Sequence, residues 1–345
     1  MQAATPVPAA DPDNNAPGAR SDRPGAAPAP PDQVSDPVAG PAAGAAAGSE
    51  SPVAPDDWQQ AWNEGRQLAR VLDLPLRRRT WRGLQGGYQG SGSGASLDFQ
   101  DHRHYLPGDD PRHINWQAFA RTGHYTMKVF REEVRPMVDL VLDASASMHW
   151  PAAKARTAAA LLALVIDSAE RTGAALRVWL VAGDHAELIG REQWRAGDVF
   201  EPWSALAASG RTELPHPPSI GWRSGSLRVI ISDLLAPADP AAWSAAVLNG
   251  SSAGLLLAPW TREESRPDWN GNLELLCVES GRRRLGVIGE AQLKRYCQAW
   301  QNHMDLWRAG CRRGGMALAM VEGGLPLFTA LQAEALPQGL LEPCS

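Results

Sequence analysis

The chain has 345 residues, 44% of them hydrophobic, so it can bury at least one full-sized core and has room for two domains. A formal charge of -5 argues against a dedicated nucleic-acid binder; four cysteines (Cys277, Cys297, Cys311 and Cys344) without a C-x-x-C pair suggest reduced thiols, not a zinc knuckle or a disulfide framework. No apolar run approaches the roughly 20 residues that cross a bilayer, and Pro6, Pro8, Asp11 and Asp13 interrupt what would be the core of a secretory signal, so the expectation is a cytoplasmic protein with no membrane span.

Residues 1–55 are rich in Ala, Pro, Gly, Asp and Ser and nearly devoid of large apolar side chains, which predicts a disordered tail. Order is expected from Asp56-Asp57-Trp58 onward, where acids precede Trp58, Ala61, Trp62, Leu68, Ala69 and Leu72 at helical spacing. The basic run Arg77-Arg78-Arg79-Thr80-Trp81-Arg82 and the glycines from Gly83 to Gly94 read as a solvated loop, the alternative being a cradle for phosphates or RNA. No Gly-Lys-Ser/Thr follows, so this is not a P-loop.

Residues 98–135 mix Asp98, Asp101, Asp109, Asp110, Glu132 and Glu133 with Arg103, Arg112, Arg121, Lys128, Arg131 and Arg135. The near-balance of sign predicts internal ion pairs, with Trp116 and Tyr105 as buried anchors; an Arg-lined partner surface is the alternative. His102, His104 and His113 in the same stretch read as solvated or carboxylate-paired, not as metal ligands.

From Met137 onward short apolar runs alternate with longer helical patterns. Strands are expected at Met137 to Asp143, Ala175 to Ala182, Leu227 to Ser232, Gly254 to Ala258, Leu273 to Val278 and Met316 to Val321, and helices at Ala152 to Arg171, Pro240 to Leu248 and Glu290 to Arg313. The alternation predicts an α/β fold with a doubly wound, mainly parallel sheet, in which ligands sit beyond the carboxyl ends of the strands. Asp184 reads as a hairpin turn, and so does Ser252, whose Gly-x-Ser-x-Gly context has the helix before and the strand after, the reverse of a nucleophile elbow. The three lysines, Lys128, Lys154 and Lys294, against abundant arginine read as coding bias.

Asp143 ends the first strand of this series and is followed by Ser145 and Ser147, one anionic and two hydroxyl oxygens on a tight loop, a set suited to Mg²⁺ (or Mn²⁺). Asp233 ends a second strand and Thr212 lies on a loop between them, so Asp143, Ser145, Ser147, Thr212 and Asp233 form the candidate metal set. The competing reading has the serines capping the helix that opens near Pro151 and the aspartates satisfying loop amides.

The order Asp-x-Ser-x-Ser, Thr, Asp at successive strand ends resembles the metal-ion-dependent adhesion site of von Willebrand factor A domains. Upstream, Arg103-His104-Tyr105-Leu106-Pro107-Gly108-Asp109, Arg112-His113-Ile114-Asn115-Trp116, Ala120-Arg121-Thr122 and Arg131-Glu132-Glu133 resemble the signature of the bacterial family called domain of unknown function 58, with Asn115 in place of the usual Asp and Phe119 in place of a small residue. The resemblance covers roughly residues 83–335 and implies a von Willebrand factor A-like domain over 137–335; an N-terminal extension over 56–136 precedes that domain and a C-terminal tail over 336–345 follows it. The ligand set and the fold together are read as a non-enzymatic, divalent-metal-dependent module that grips an acidic residue of another protein through an open metal position. The partner the resemblance implies is a MoxR-type AAA+ ATPase or its client, in protein-complex assembly or maturation. Two alternatives are a metal-dependent phosphoester hydrolase, for which Ser145 stands where a second acid is needed, and a nucleic-acid module using Arg77 to Arg82.

Overall fold

A computed structural model describes residues 44–46, 53–76, 97–107, 110–132, 136–210, 213–251 and 253–344. After strand β1 (Gly44–Ala46), helix α1 (Pro55–Leu68) opens on proline with Asp56 and Asp57 in its first turn and buries Trp58, Ala61, Trp62 and Gly65, one face at helical spacing. At Gly65 the backbone lies against that of Ala160, so closely that a Cβ would collide. Strand β2 (Leu72–Asp73) follows.

The next elements are β3 (Leu97–His104), α2 (Trp116–Thr122) and β4 (Thr126–Glu132), with β3 and β4 an antiparallel pair. Asn115 caps α2, its Oδ1 accepting from the Ala118 amide at 3.2 Å. Trp116 is not a buried anchor: it is 58% exposed, Tyr105 is half-buried, and Phe119 stacks on Tyr125 at 4.4 Å between ring centroids. These aromatic side chains pack on one another.

The α/β core runs β5 (Met137–Asp143), α3 (Ala152–Arg171), β6 (Ala175–Ala182), β7 (His185–Ile189), α4 (Arg191–Ala196), α5 (Phe200–Ala207), β8 (Leu227–Ile231), α6 (Pro240–Leu248), β9 (Ala253–Trp260) and α7 (Arg262–Ser265). It continues through β10 (Gly271–Cys277), β11 (Arg283–Ile288), α8 (Glu290–Gly314), β12 (Ala317–Glu322), α9 (Leu327–Ala333) and β13 (Glu342–Pro343). The central sheet has the order β12-β9-β8-β5-β6-β7, parallel except for β7, which returns through the hairpin turn at Asp184. The chain leaves β5 first to β6 on one side and then to β8 on the other, so the carboxyl end of β5 is the switch point where a doubly wound sheet opens a crevice.

Both faces of β5 are covered. Val138, Leu140 and Leu142 join a core with α1 and α3, while Val141 joins a second core with α6 and α8, the period-2 alternation of a strand buried on both sides. Trp300, Met304, Trp307 and Cys311 bury one stripe of α8, and Gly310 and Gly314 let that helix approach Pro240 and Ser244 of α6.

The expected strand near Leu273 to Val278 exists, but β10 pairs antiparallel with β11 and β1 outside the central sheet. Its alternating half-buried and exposed side chains are those of a surface hairpin. No described helix is long and apolar enough to cross a membrane. Residues 77–96, with the Arg77 to Arg82 run, lie outside the described residues, as do Thr212, Ser252 and all of the expected tail except residues 44–46 and 53–55.

Candidate metal centre

The site is built from strand ends. Asp143 is the last residue of β5, and Leu142 is paired with Ile231, the last of β8, so Ser232 and Asp233 continue β8 alongside it. Asp143 is buried, and both of its oxygens are engaged. Oδ1 accepts from the Ser145 amide at 2.8 Å and Oδ2 from the Ser232 hydroxyl at 2.6 Å. Burial, and then the charge of Asp233, push the Asp143 carboxyl up to about 7 in spite of the hydrogen bonds from Ser232 and Ser145.

Ser145 and Ser147 stand on the short helical turn after β5 with their hydroxyl oxygens 3.2 Å apart, both residues buried. Neither caps a helix with its side chain: the residue that starts α3 is Pro151, without a side-chain cap. The capping alternative is therefore not what the serines do, although the aspartates do accept from loop amides, Ser145 on Asp143 and Leu235 on Asp233 at 3.2 Å. The structure brings Asp143, Ser145, Ser147 and Asp233 to one buried cluster at the carboxyl ends of β5 and β8, with Thr212 outside the described residues.

Several participants were missed by the sequence reading. Lys154, in the first turn of α3, is fully buried; its Nζ donates to Asp233 Oδ2 at 2.8 Å and to Glu264 Oε1. Burial disfavours its charge, but the carboxylates of Asp233 and Glu264 outweigh that and raise its pKa, so it is an ammonium. Reading the scarce lysines as coding bias thus overlooked an internal cation. Glu264 is fixed by a capping box in which the Thr261 amide donates to its Oε2 at 2.8 Å.

Glu279, at the tip of the β10–β11 hairpin, accepts from the Ser147 amide through Oε1 at 2.8 Å, while its Oε2 is shut off from solvent with no partner among the described residues. Burial is the main cause of its raised pKa, with Asp233 adding to it. The only hint in the sequence was its place just past a predicted strand.

The walls are aromatic and imposed by the fold. The Trp203 indole donates to the Asp143 carbonyl at 3.0 Å, and His149 stacks on Trp203 with centroids 3.4 Å apart. Burial drives His149 down to about 4, so its imidazole is neutral near pH 7 and adds no positive charge to the crevice. Leu234, directly after Asp233, adopts φ 63°, a conformation that costs a branched side chain about 1–3 kcal/mol. The Leu234 amide donates to Ser232 Oγ at 3.2 Å, and its carbonyl lies 2.6 Å from His303 Nε2, contacts that hold the turn in place.

Among the described residues no three His, Cys, Asp or Glu side chains converge as a ready-made metal cage. A cation here would rest on the hydroxyl pair together with strand-end carboxylates. The donor chemistry fits Mg²⁺ or Mn²⁺: hard oxygens only, with Asp143, Glu264 and Glu279 each feeling the charge of Asp233, and the ammonium of Lys154 offsetting Asp233, Glu264 and Glu279. That imbalance of charge is what a divalent ion would relieve.

The class these features define is an α/β protein with a doubly wound, mainly parallel sheet and a buried, oxygen-rich cluster at its switch point. Residues 101–197 match the family described as "Protein of unknown function DUF58", which spans the β3–β4 region, β5 and both serines and so bears out the family resemblance for that stretch. Among curated proteins nothing matches.

Two solved structures are similar. One is described as the crystal structure of conserved hypothetical protein BatB from Bacteroides thetaiotaomicron, 12% identical over 59% of this chain and 98% of that one, with a TM-score of 0.30. The other is an aerotolerance-related membrane protein from Bacteroides fragilis NCTC 9343 with multiple mutations to serines, 15% identical over the same shares, also at 0.30.

Proposed function

We propose that the protein is a non-enzymatic, divalent-cation-dependent protein-binding module of von Willebrand factor A type. Asp143, Ser145, Ser147 and Asp233 would hold Mg²⁺ or Mn²⁺, with Thr212 as a further ligand. The observation that carries this reading is the excess of carboxylates in the crevice, joined to a hydroxyl pair at 3.2 Å that caps nothing. When bound, the ion would supply an electrophilic anchor for an acidic side chain of another protein. Lys154 bridges Asp233 and Glu264, His149 stacks on Trp203 beside Asp143, and Ser232 holds Asp143 in place. In keeping with the family resemblance, the working partner is proposed to be a MoxR-type AAA+ ATPase or its client.

The absence of an acid two residues after Asp143 supports a binding role over phosphoester hydrolysis, since Ser145 offers no proton to a leaving group near neutral pH. Calorimetric titration of Mg²⁺ and Mn²⁺ tests the metal. The wild type is expected to bind and Asp143→Ala to fail while keeping its fold; no heat in the wild type would overturn the reading. One observation favours a second reading: Lys154 already sits on Asp233, so an ammonium could serve as a built-in substitute for the ion. On that reading neither protein binds metal, and Lys154→Met destabilises the fold to the same extent with or without Mg²⁺.

A further inference from the structure

Glu279 lies far from the site in sequence and reaches it from the outside. The amide of Cys277 donates to the Arg282 carbonyl and that of Gly281 to the Cys277 carbonyl, each at 2.8 Å, closing a tight turn with Glu279 at its tip. Gly281 takes φ 65°, which lets the chain reverse there. The tip contacts the loop after β5 through the bond from the Ser147 amide to Glu279 Oε1. The second oxygen is buried without a partner among the described residues, next to a crevice already rich in negative charge.

A buried, unpaired carboxylate oxygen costs free energy unless something positive meets it. A simple cap for the Ser147 amide would turn its other oxygen toward water. The hairpin behind the tip is not locked into the core either: Leu285 is 80% and Val287 67% exposed on β11.

Resting on the metal reading above, we infer that Glu279 is an internal stand-in for the partner's carboxylate. Delivered by the hairpin tip, it occupies the approach to the ion, and it leaves with the hairpin when an acidic partner side chain takes its place. The site is thereby kept from capturing stray carboxylates until a partner displaces the hairpin.

The test uses the full chain with Mn²⁺ as the probe, comparing the wild type with Glu279→Ala and Glu279→Gln. The glutamine variant keeps an acceptor for the Ser147 amide and removes only the charge. Calorimetry is expected to give Mn²⁺ binding about tenfold weaker in both variants. Water-proton relaxivity per bound Mn²⁺ is expected to rise in Glu279→Ala, as water fills the vacated position, and to fall again on adding excess acetate, whereas the wild type does not respond to acetate. Equal affinity, relaxivity and acetate response in all three proteins would overturn the inference and leave Glu279 as a cap of the Ser147 amide. Failure of the wild type to bind Mn²⁺ would instead overturn the metal reading on which it rests.

Discussion

Strand β5 carries two buried aspartates four residues apart, Asp139 and Asp143, and they live in opposite electrostatic worlds. Asp139, toward the amino end, accepts from the Arg223 amide at 2.9 Å, from Arg223 Nε at 2.8 Å and from the Ser226 hydroxyl at 2.7 Å. Its charge is met by a guanidinium held in fixed geometry. Asp143, at the carboxyl end, takes its hydrogen bonds from Ser232 and Ser145, has no ion-pair partner among the described residues and faces another carboxylate, Asp233. One aspartate is a finished structural ion pair and the other is left short of positive charge. The difference teaches that burial alone does not identify a site; a functional candidate is a buried charge whose surroundings do not balance it.

The largest effect is expected at Asp139. Asp139→Ala strands Arg223 and Ser226 in the interior and is expected to cost about 3–5 kcal/mol in denaturant unfolding, with no recovery on adding Mg²⁺. If Mg²⁺ restored that stability, the two ends of β5 would not be independent. Lys154→Met comes next, because it leaves Asp233 and Glu264 facing each other without their ammonium. A loss of about 3 kcal/mol is expected in chelator, and Mg²⁺ should recover part of it if the ion lies beside Asp233.

Smaller effects sharpen the contrast. Asp143→Ala relieves repulsion with Asp233 while removing acceptors for Ser145 and Ser232, so its unfolding free energy should stay within about 1 kcal/mol of the wild type even as metal binding disappears. A collapse of the fold would instead make Asp143 a structural partner of the same kind as Asp139. Ser147→Ala is expected to be the mildest for stability, a few tenths of a kcal/mol to about 1, with a Mn²⁺ affinity lowered roughly 10- to 100-fold in calorimetry. An unchanged affinity would remove Ser147 from the ligand set.

The α/β class and most of the core elements are legible in the amino-acid pattern alone. β5, β6, α3 and α6 lie where hydrophobic periodicity put them, because a strand buried on both faces and a helix with an apolar stripe are local patterns that survive tertiary packing. Asp143, Ser145, Ser147 and Asp233 were legible for a similar reason: polar residues that abruptly end an apolar strand stand out along the chain. What surrounds them depends on packing in three dimensions. Lys154 and Glu264 are 110 residues apart, and Ser147 and Glu279 are 132 apart. No spacing rule links such pairs, since the crossovers of a doubly wound sheet bring them together. The packing also placed β10 in a surface hairpin instead of the sheet, and left Trp116 exposed among neighbouring aromatics where its composition suggested a buried anchor. Local pattern specifies which residues go inside an element; which charges meet across elements is set by topology, and at the end of β5 that meeting sets Asp143 beside Asp233.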